Sequence, residues 1–111
     1  MPLPWQTGRV IRIENETRTT RRFWIELVSG EPFDFMPGQF VTLDLPIHEK
    51  PAKRWRSYSV ASWPDGTPVF ELLIVYLEGG PGTHYLFNEV KLGSELTLRG
   101  PLGLFTLSEP I

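Results

Sequence analysis

Eleven prolines and ten glycines are scattered through 111 residues and cut the chain into short segments. Chain interrupted this often builds short strands and tight turns, so the spacing points to an all-β domain. Hydrophobic alternation agrees. Gly8–Glu14 sets Ile11 and Ile13 against Arg12 and Glu14, and Arg22–Val28 sets Phe23, Ile25 and Leu27 against Trp24 and Glu26. Each reads as a strand with one buried face. The stretch E-N-E-T-R-T-T supplies a hairpin connection, and S-G-E-P-F-D-F-M-P-G reads as a loop closing in a Pro-Gly turn. Gln39–Leu45 is a third strand and the segment Arg54–Trp63 holds a fourth. Asp65-Gly66 is a hairpin signal before Val69–Leu77, the most apolar run, which is expected in the middle of the sheet with both faces covered. A helix fits only T-H-Y-L-F-N-E-V-K-L-G, where Tyr85, Leu86 and Val90 share a face and Gly93 supplies the stop. Glu95–Arg99 is the last strand, and the residues from Gly100 carry the chain out. Six strands with one short helix between the fifth and sixth predict a six-stranded antiparallel Greek-key β-barrel, because closure removes exposed edges.

One domain, residues 1–111, accommodates this length. Hydrophobic residues make up 41% and charged residues 22%, a globular mixture rather than a disordered one. A net charge of −2 argues against a protein whose main task is gripping nucleic acid. With no cysteine, the chain has no disulfide, thiolate nucleophile or thiolate-held iron–sulfur cluster, so redox chemistry here needs another cofactor. No apolar run reaches membrane-spanning length and M-P-L-P-W-Q-T lacks the blocks of a signal peptide, so a cytoplasmic location without a membrane partner is expected.

The candidate chemistry lies in R-W-R-S-Y-S-V-A-S-W, residues 54–63. Arg56, Tyr58 and Val60 alternate with Ser57, Ser59 and Ala61, so Arg56 and Tyr58 project from one face of the strand. The helix starting near Gly82 and Thr83 directs unpaired N–H groups and a partial positive charge outward from its tip. The preceding glycines let backbone approach a phosphate closely, and the Thr83 hydroxyl offers a further donor. A ligand with a flat ring at one end and a diphosphate in the middle would use Tyr58 for stacking, Arg56 for phosphate and the helix tip for the rest. Taken alone, R-S-Y-S also fits a surface arginine beside a half-buried tyrosine, and G-G-P-G fits an ordinary loop.

Arg56-Ser57-Tyr58-Ser59, extended through Val60-Ala61 to Ser62, resembles the R-x-Y-S-x-x-S flavin motif of the ferredoxin–NADP reductase superfamily. The flanking pieces follow in matching order: Pro37-Gly38-Gln39-Phe40, then Gly79-Gly80-Pro81-Gly82-Thr83, then Arg99-Gly100-Pro101-Leu102-Gly103. The resemblance implies an FAD-binding barrel with a phosphate-binding helix, FAD being favoured over FMN by the extended motif. It implies that Arg56 pairs with the phosphates, that Tyr58 stacks on the isoalloxazine, and that Ser59 is the catalytic hydroxyl near flavin N5. Ser57 and Val60 are then expected to act through backbone, Ile74, Val75 and Tyr76 to meet the flavin mainly through main chain, and Gly80, Gly82 and Thr83 to form the phosphate cradle.

Complete reductases of this kind carry a second, nicotinamide-binding domain after the barrel. It is expected to be missing here, the chain stopping at Leu107–Ile111 as a fragment of a longer reductase. NAD(P)H would then act only through that domain, supplied in cis or in trans, and the isolated domain should be nearly inactive. The electron acceptor would be a partner protein or centre. Two rival readings stand beside this one. A small barrel could grip single-stranded nucleic acid through Lys50, Lys53, Arg54, Trp55 and Arg56, or it could be a protein-interaction barrel that has lost its cofactor. Trp55 and Trp63 are expected to pack at the barrel ends, His48 and His84 to be solvated or on the helix surface, and no metal site is expected.

Overall fold

Strands form where alternation coincides with β-branched and aromatic residues. In the computed structural model, which describes residues 4–103, the strands are β1 (Gln6–Asn15), β2 (Thr20–Leu27), β3 (Phe40–Asp44), β4 (Trp55–Ser59), β5 (Val69–Val75) and β6 (Glu95–Leu102). A 3-10 turn covers Pro51–Lys53, and helix α1 (Pro81–Asn88) lies between β5 and β6. The expected course of the chain after Gly103 falls outside the described residues. Every ladder is antiparallel and the sheet order is β4-β3-β6-β1-β2-β5. The neighbours β2–β5, β3–β6 and β1–β6 are distant in sequence, so long-range pairing as well as hairpins builds the sheet.

β2 follows its pattern: Phe23, Ile25 and Leu27 are buried. β1 departs from its own. Val10 is opposite Ile25, but Arg12 is opposite Trp24, so Ile11 is an extra residue in the ladder. This bulge resets the alternation. Val10 is therefore fully buried while Ile11, expected inside, is 43% exposed.

A second correction concerns β5. It lies at an edge of the sheet, not in the middle, with Phe70, Leu72 and Ile74 buried and Leu73 and Val75 exposed. The strand with consecutive buried residues is β3, set between β4 and β6, where Val41, Thr42 and Leu43 are all covered. Continuous apolar sequence in β5 thus reflects one face turned to the core and one exposed, whose Val75 lies in the groove described below.

The two edge strands meet at one bridge, Val60 with Leu72, beside which the Ala61 N–H donates to the Glu71 carbonyl at 2.8 Å. No ladder runs between β4 and β5 among the described residues, so the fold is mostly β with six antiparallel strands and one helix, and the expected closure along this seam is not formed. The Asp65-Gly66 turn exists, with Asp65 Oδ1 accepting from the Thr67 N–H and hydroxyl, but it joins strands that diverge rather than a paired hairpin. Those hydrogen bonds hold the Asp65 carboxyl below its ordinary range.

The loop after β2 does more than connect. Phe33 and Phe35 are buried, and the Phe33 ring stacks on Phe70 with centroids 4.3 Å apart. Helix α1 ends at Asn88, before the expected stop at Gly93, with the Glu89 N–H on the Tyr85 carbonyl at 2.8 Å and the Asn88 side chain turned back to the His84 carbonyl at 2.9 Å. Leu86 and Val90 still bury as their spacing predicted.

Gly8 sits in β1 between β2 and β6, where an added Cβ would lie 2.5 Å from Ile25 Cγ2 and 2.8 Å from Leu98 Cδ2. Gly8→Ala is expected to cost about 1–3 kcal/mol through overpacking. Ile11→Ser at the bulge should change stability by less than about 0.5 kcal/mol. Denaturant melts of both variants check this; a larger loss from Ile11→Ser would contradict the bulge assignment.

Candidate functional site

β4 delivers its side chains to two faces by simple alternation. Arg56 is paired with Leu43 and Tyr58 with Val41, both core residues, whereas Ser57 is paired with Thr42 and Ser59 with Phe40. Because β4 is an edge strand, Arg56 and Tyr58 reach the open seam instead of being enclosed. The Tyr58 ring is half-buried against the core, and burial pushes its phenol above the ordinary range against the smaller opposing effect of the Arg56 charge. Tyr58 is therefore a neutral ring at physiological pH. Ser57 and Thr42 share a hydroxyl hydrogen bond of 2.9 Å, and Ser59 is exposed on that same outer face.

The helix tip approaches from across the seam. Pro81 opens α1 without an N–H, and Gly82 and Thr83 follow with no side-chain cap and no acidic residue in the first turn. Their N–H groups belong to the set that a helix leaves unpaired. Gly82 is buried under the Arg56 stem: an added Cβ would meet Arg56 Cγ, Nε and Cδ at 3.0, 3.2 and 3.3 Å. Arg56 Nη1 donates to the carbonyls of Trp55 at 2.8 Å and Lys53 at 3.1 Å. Arg9, Arg12, Arg22 and Arg54 each hold a carboxylate, but Arg56 has none among the described residues. A guanidinium with its charge uncompensated, beside uncapped helix N–H groups, has the chemistry to attract an anion.

Arg56, Ser57, Tyr58, Val75, Gly80, Gly82 and Thr83 line one groove of about 310 Å³, together with Leu77. Seven residues singled out from sequence thus converge. Leu77 was not among them. Its signal was an apolar run continuing two residues past the strand, and its 66% exposure, with 60% for Val75, gives the groove an apolar wall open to a ligand.

The Thr83 hydroxyl has a different position from the one expected of a phosphate donor. It accepts from the Leu77 N–H at 2.9 Å, with the Leu77 and Gly80 carbonyls at 3.2 and 3.4 Å, so it closes the loop Leu77–Thr83 upon itself. The remaining predicted residues, Ser59, Val60, Ser62, Ile74 and Tyr76, do not line the groove. Val60 is buried at the seam bridge, with its N–H on the Gln39 carbonyl at 3.0 Å. The Ser62 hydroxyl accepts from the Glu71 N–H at 3.0 Å, and Ile74 points into the core. Tyr76, with Gly79, Gly80, Pro81 and His84, lines a neighbouring cavity of about 240 Å³. Gly80 is shared by both spaces.

Trp63 is 76% exposed, against the expectation that it packs at an end of the sheet; it follows the seam bridge into a loop that no strand covers. Trp55 packs on the outer face with Trp5 at 5.8 Å, and the Arg99 guanidinium lies 4.4 Å from the Trp5 ring and 5.3 Å from that of Trp55. The basic cluster at residues 50–56 is broken up accordingly: Arg54 is bound to Asp44 at 2.9 Å and Arg56 lies in the groove. It forms no continuous stripe for nucleic acid. His48 and His84 are exposed, and no group of three metal-binding side chains exists among the described residues. No helix among those residues is long and apolar enough to cross a membrane.

The pattern of the family described as the oxidoreductase FAD-binding domain matches residues 7–107. The ferredoxin–NADP reductase B of Sorangium cellulosum is 39% identical over 99 residues, covering 89% of this chain and 39% of that protein. The ferredoxin–NAD(P)+ reductase component of the naphthalene 1,2-dioxygenase system of Pseudomonas putida is 38% identical over 97 residues, 86% of this chain and 27% of its own length. The crystal structure of an Amycolatopsis cytochrome P450 reductase superposes with a TM-score of 0.80 at 35% identity, over 98% of this chain and 31% of that one. The chain therefore spans between 27% and 39% of the length of these relatives.

The raised Tyr58 phenol has a consequence in alkali. Its contribution to stability is complete below the unfolded tyrosine value and is lost as pH rises through the higher folded value. Between about pH 9 and about pH 11, the melting temperature of Tyr58→Phe should fall less than that of the unaltered chain. Equal falls would show that the phenol is not shielded.

Proposed function

The chain belongs to the oxidoreductase FAD-binding domain family, and from that premise we propose that the groove between β4 and the tip of α1 holds FAD. The observation that carries this reading is the convergence of Arg56, Tyr58, Gly82 and Thr83 on one groove. The donor set fits the cofactor. Arg56 supplies charge and the Gly82 and Thr83 N–H groups supply directional donors for a diphosphate. Tyr58 offers a neutral ring for stacking, and Val75 and Leu77 exclude water from an apolar ring edge. Ser57 acts through backbone, Gly80 keeps the loop close to the ligand, and Ser62 holds the strand end against β5 through its hydrogen bond to Glu71; Val60, Ile74 and Tyr76, outside the groove, support the strands that frame it.

FAD, rather than FMN, supplies the electron-transfer chemistry that no side chain of this cysteine-free sequence offers. Ser59 projects from the face of β4 opposite Tyr58 and does not line the groove, so as the hydroxyl proposed to hold and pass a proton at flavin N5 it would meet only a ring that extends past the end of the groove. Its lack of any side-chain partner among the described hydrogen bonds leaves it available for that task. The whole protein passes electrons between NAD(P)H and an acceptor protein or centre, and relatives named as reductase components support this role. A nicotinamide-binding domain, in cis or in trans, positions the nicotinamide against the flavin, because such transfer needs close and fixed geometry. Residues 1–111 then form one flavin-binding domain, and a cytoplasmic setting suits it. The sheet is a Greek-key barrel left open along one seam, a reading supported by the β2–β5 and β3–β6 neighbours and the Val60–Leu72 bridge.

FAD titrated into the chain should give a saturable shift in flavin absorbance and quenched fluorescence, with negligible NAD(P)H oxidation. Arg56→Ala should weaken FAD by about tenfold or more, since it removes charge-assisted hydrogen bonds. Gly82→Ala should weaken it as well, by pushing the Arg56 stem aside, whereas His48→Ala should leave it unchanged. Absence of binding at high micromolar FAD, or equal effects of Arg56→Ala and His48→Ala, would refute the assignment.

A further inference from the structure

α1 has only two turns, about 12 Å of helix, and such short helices depend on contacts at their ends. Leu86 anchors its middle in the core and the Thr83 hydroxyl ties its first turn to Leu77. The other end packs through Tyr85 and Phe87 against the core and receives a side-chain hydrogen bond from β2. Arg21 Nη1 donates to the Phe87 carbonyl at 2.8 Å, and its guanidinium lies 4.6 Å from the Phe87 ring centre. Arg21 Nε donates to Asn15 Oδ1 at 2.8 Å, which fixes the plane of the fork. The Phe87 ring in turn meets Tyr76 edge-on at 5.3 Å, and the Tyr76 N–H is bonded to the Thr19 carbonyl at 2.7 Å. Arg21 has no carboxylate among the described residues, so its charge faces the negative end of the helix.

We propose that Arg21 is a positioning residue for the cofactor diphosphate: by gripping the last turn of α1 from β2, it sets the axis along which Gly82 and Thr83 aim their N–H groups at the groove. It does not line the groove. With Leu86 as the fulcrum, release of the Phe87 end lets the helix tilt, and the tip moves relative to Arg56. A second effect has the same sign, because a cation at the C-terminal end stabilises the aligned peptide dipoles whose positive end meets the phosphates. This inference rests on FAD occupying the groove.

The test compares Arg21→Lys, Arg21→Gln and Arg21→Met in the full chain, with FAD and with riboflavin, which has no phosphate. Arg21→Lys retains the charge and one donor but not the fork, so its loss of FAD affinity should be smaller than that of the glutamine and methionine variants. Arg21→Gln and Arg21→Met should lose about fivefold for FAD, with riboflavin binding unchanged in all three. If Arg21→Met fails to fold, the comparison of lysine with glutamine carries the same decision. Equal loss for FAD and riboflavin would reduce Arg21 to a general stabiliser and overturn the proposal, as would undiminished FAD affinity in the glutamine variant. Arg56→Ala, run in parallel, separates the two readings. If it weakens FAD while the Arg21 variants do not, only the positioning role fails; if it has no effect, the groove reading fails and takes this proposal with it.

Discussion

The aliphatic stem of Arg56 rests on Gly82, and this contact between an edge strand and a helix tip organises the rest of the molecule. A residue with a Cβ at position 82 would stand 3.0 to 3.3 Å from that stem. Because glycine is there, backbone N–H groups and a guanidinium come side by side without a carboxylate between them. The cost is an unfinished sheet, since among the described residues no ladder joins β4 to β5 and the seam is fastened just past β4, by the Val60–Leu72 bridge and the bonds of Ala61 and Ser62 to Glu71. Elsewhere along the seam, side chains and an open groove stand where a ladder would otherwise satisfy the strand edges.

Order is imposed on this site from behind. The Thr83 hydroxyl is spent on closing its own loop, which leaves the backbone of that loop held in shape. Arg56 is braced by the carbonyls of Lys53 and Trp55, so the 3-10 turn before β4 serves as its support. Tyr58 is kept neutral by burial more than it is perturbed by the adjacent charge. Groups fixed before a ligand arrives lose little entropy when it does, which is the general advantage of preorganisation.

Several elements were legible because their signals are local. Phe23, Ile25 and Leu27 in β2 bury as a strict alternation requires. Arg56 and Tyr58 share a face for the same reason, and Leu86 buries on the core side of the helix, as does Val90 just past its end. Other readings failed where a nonlocal choice intervened. The bulge at Ile11 shifts the phase of β1 against β2, and nothing in G-R-V-I-R-I-E marks which isoleucine drops out. The apolar density of β5 looks like a strand covered on both sides, yet Val75 and Leu77 are apolar toward a groove. The loop after β2 reads as a connection by its prolines and still contributes Phe33 to the core, stacked on Phe70.

Residue order and chemistry by themselves determined that this chain makes short antiparallel strands, one late helix, and a motif carrying a cation, a ring and hydroxyls within four residues. Those properties follow from backbone geometry repeating every two or every 3.6 residues, which a linear string records directly. Adjacency was decided only in three dimensions: that Arg56 lies over Gly82, that the Thr83 hydroxyl faces Leu77, that β5 is an edge, and that Trp63 is left in solvent. Each depends on which distant segment occupies the neighbouring space, and packing settles that for the whole chain at once.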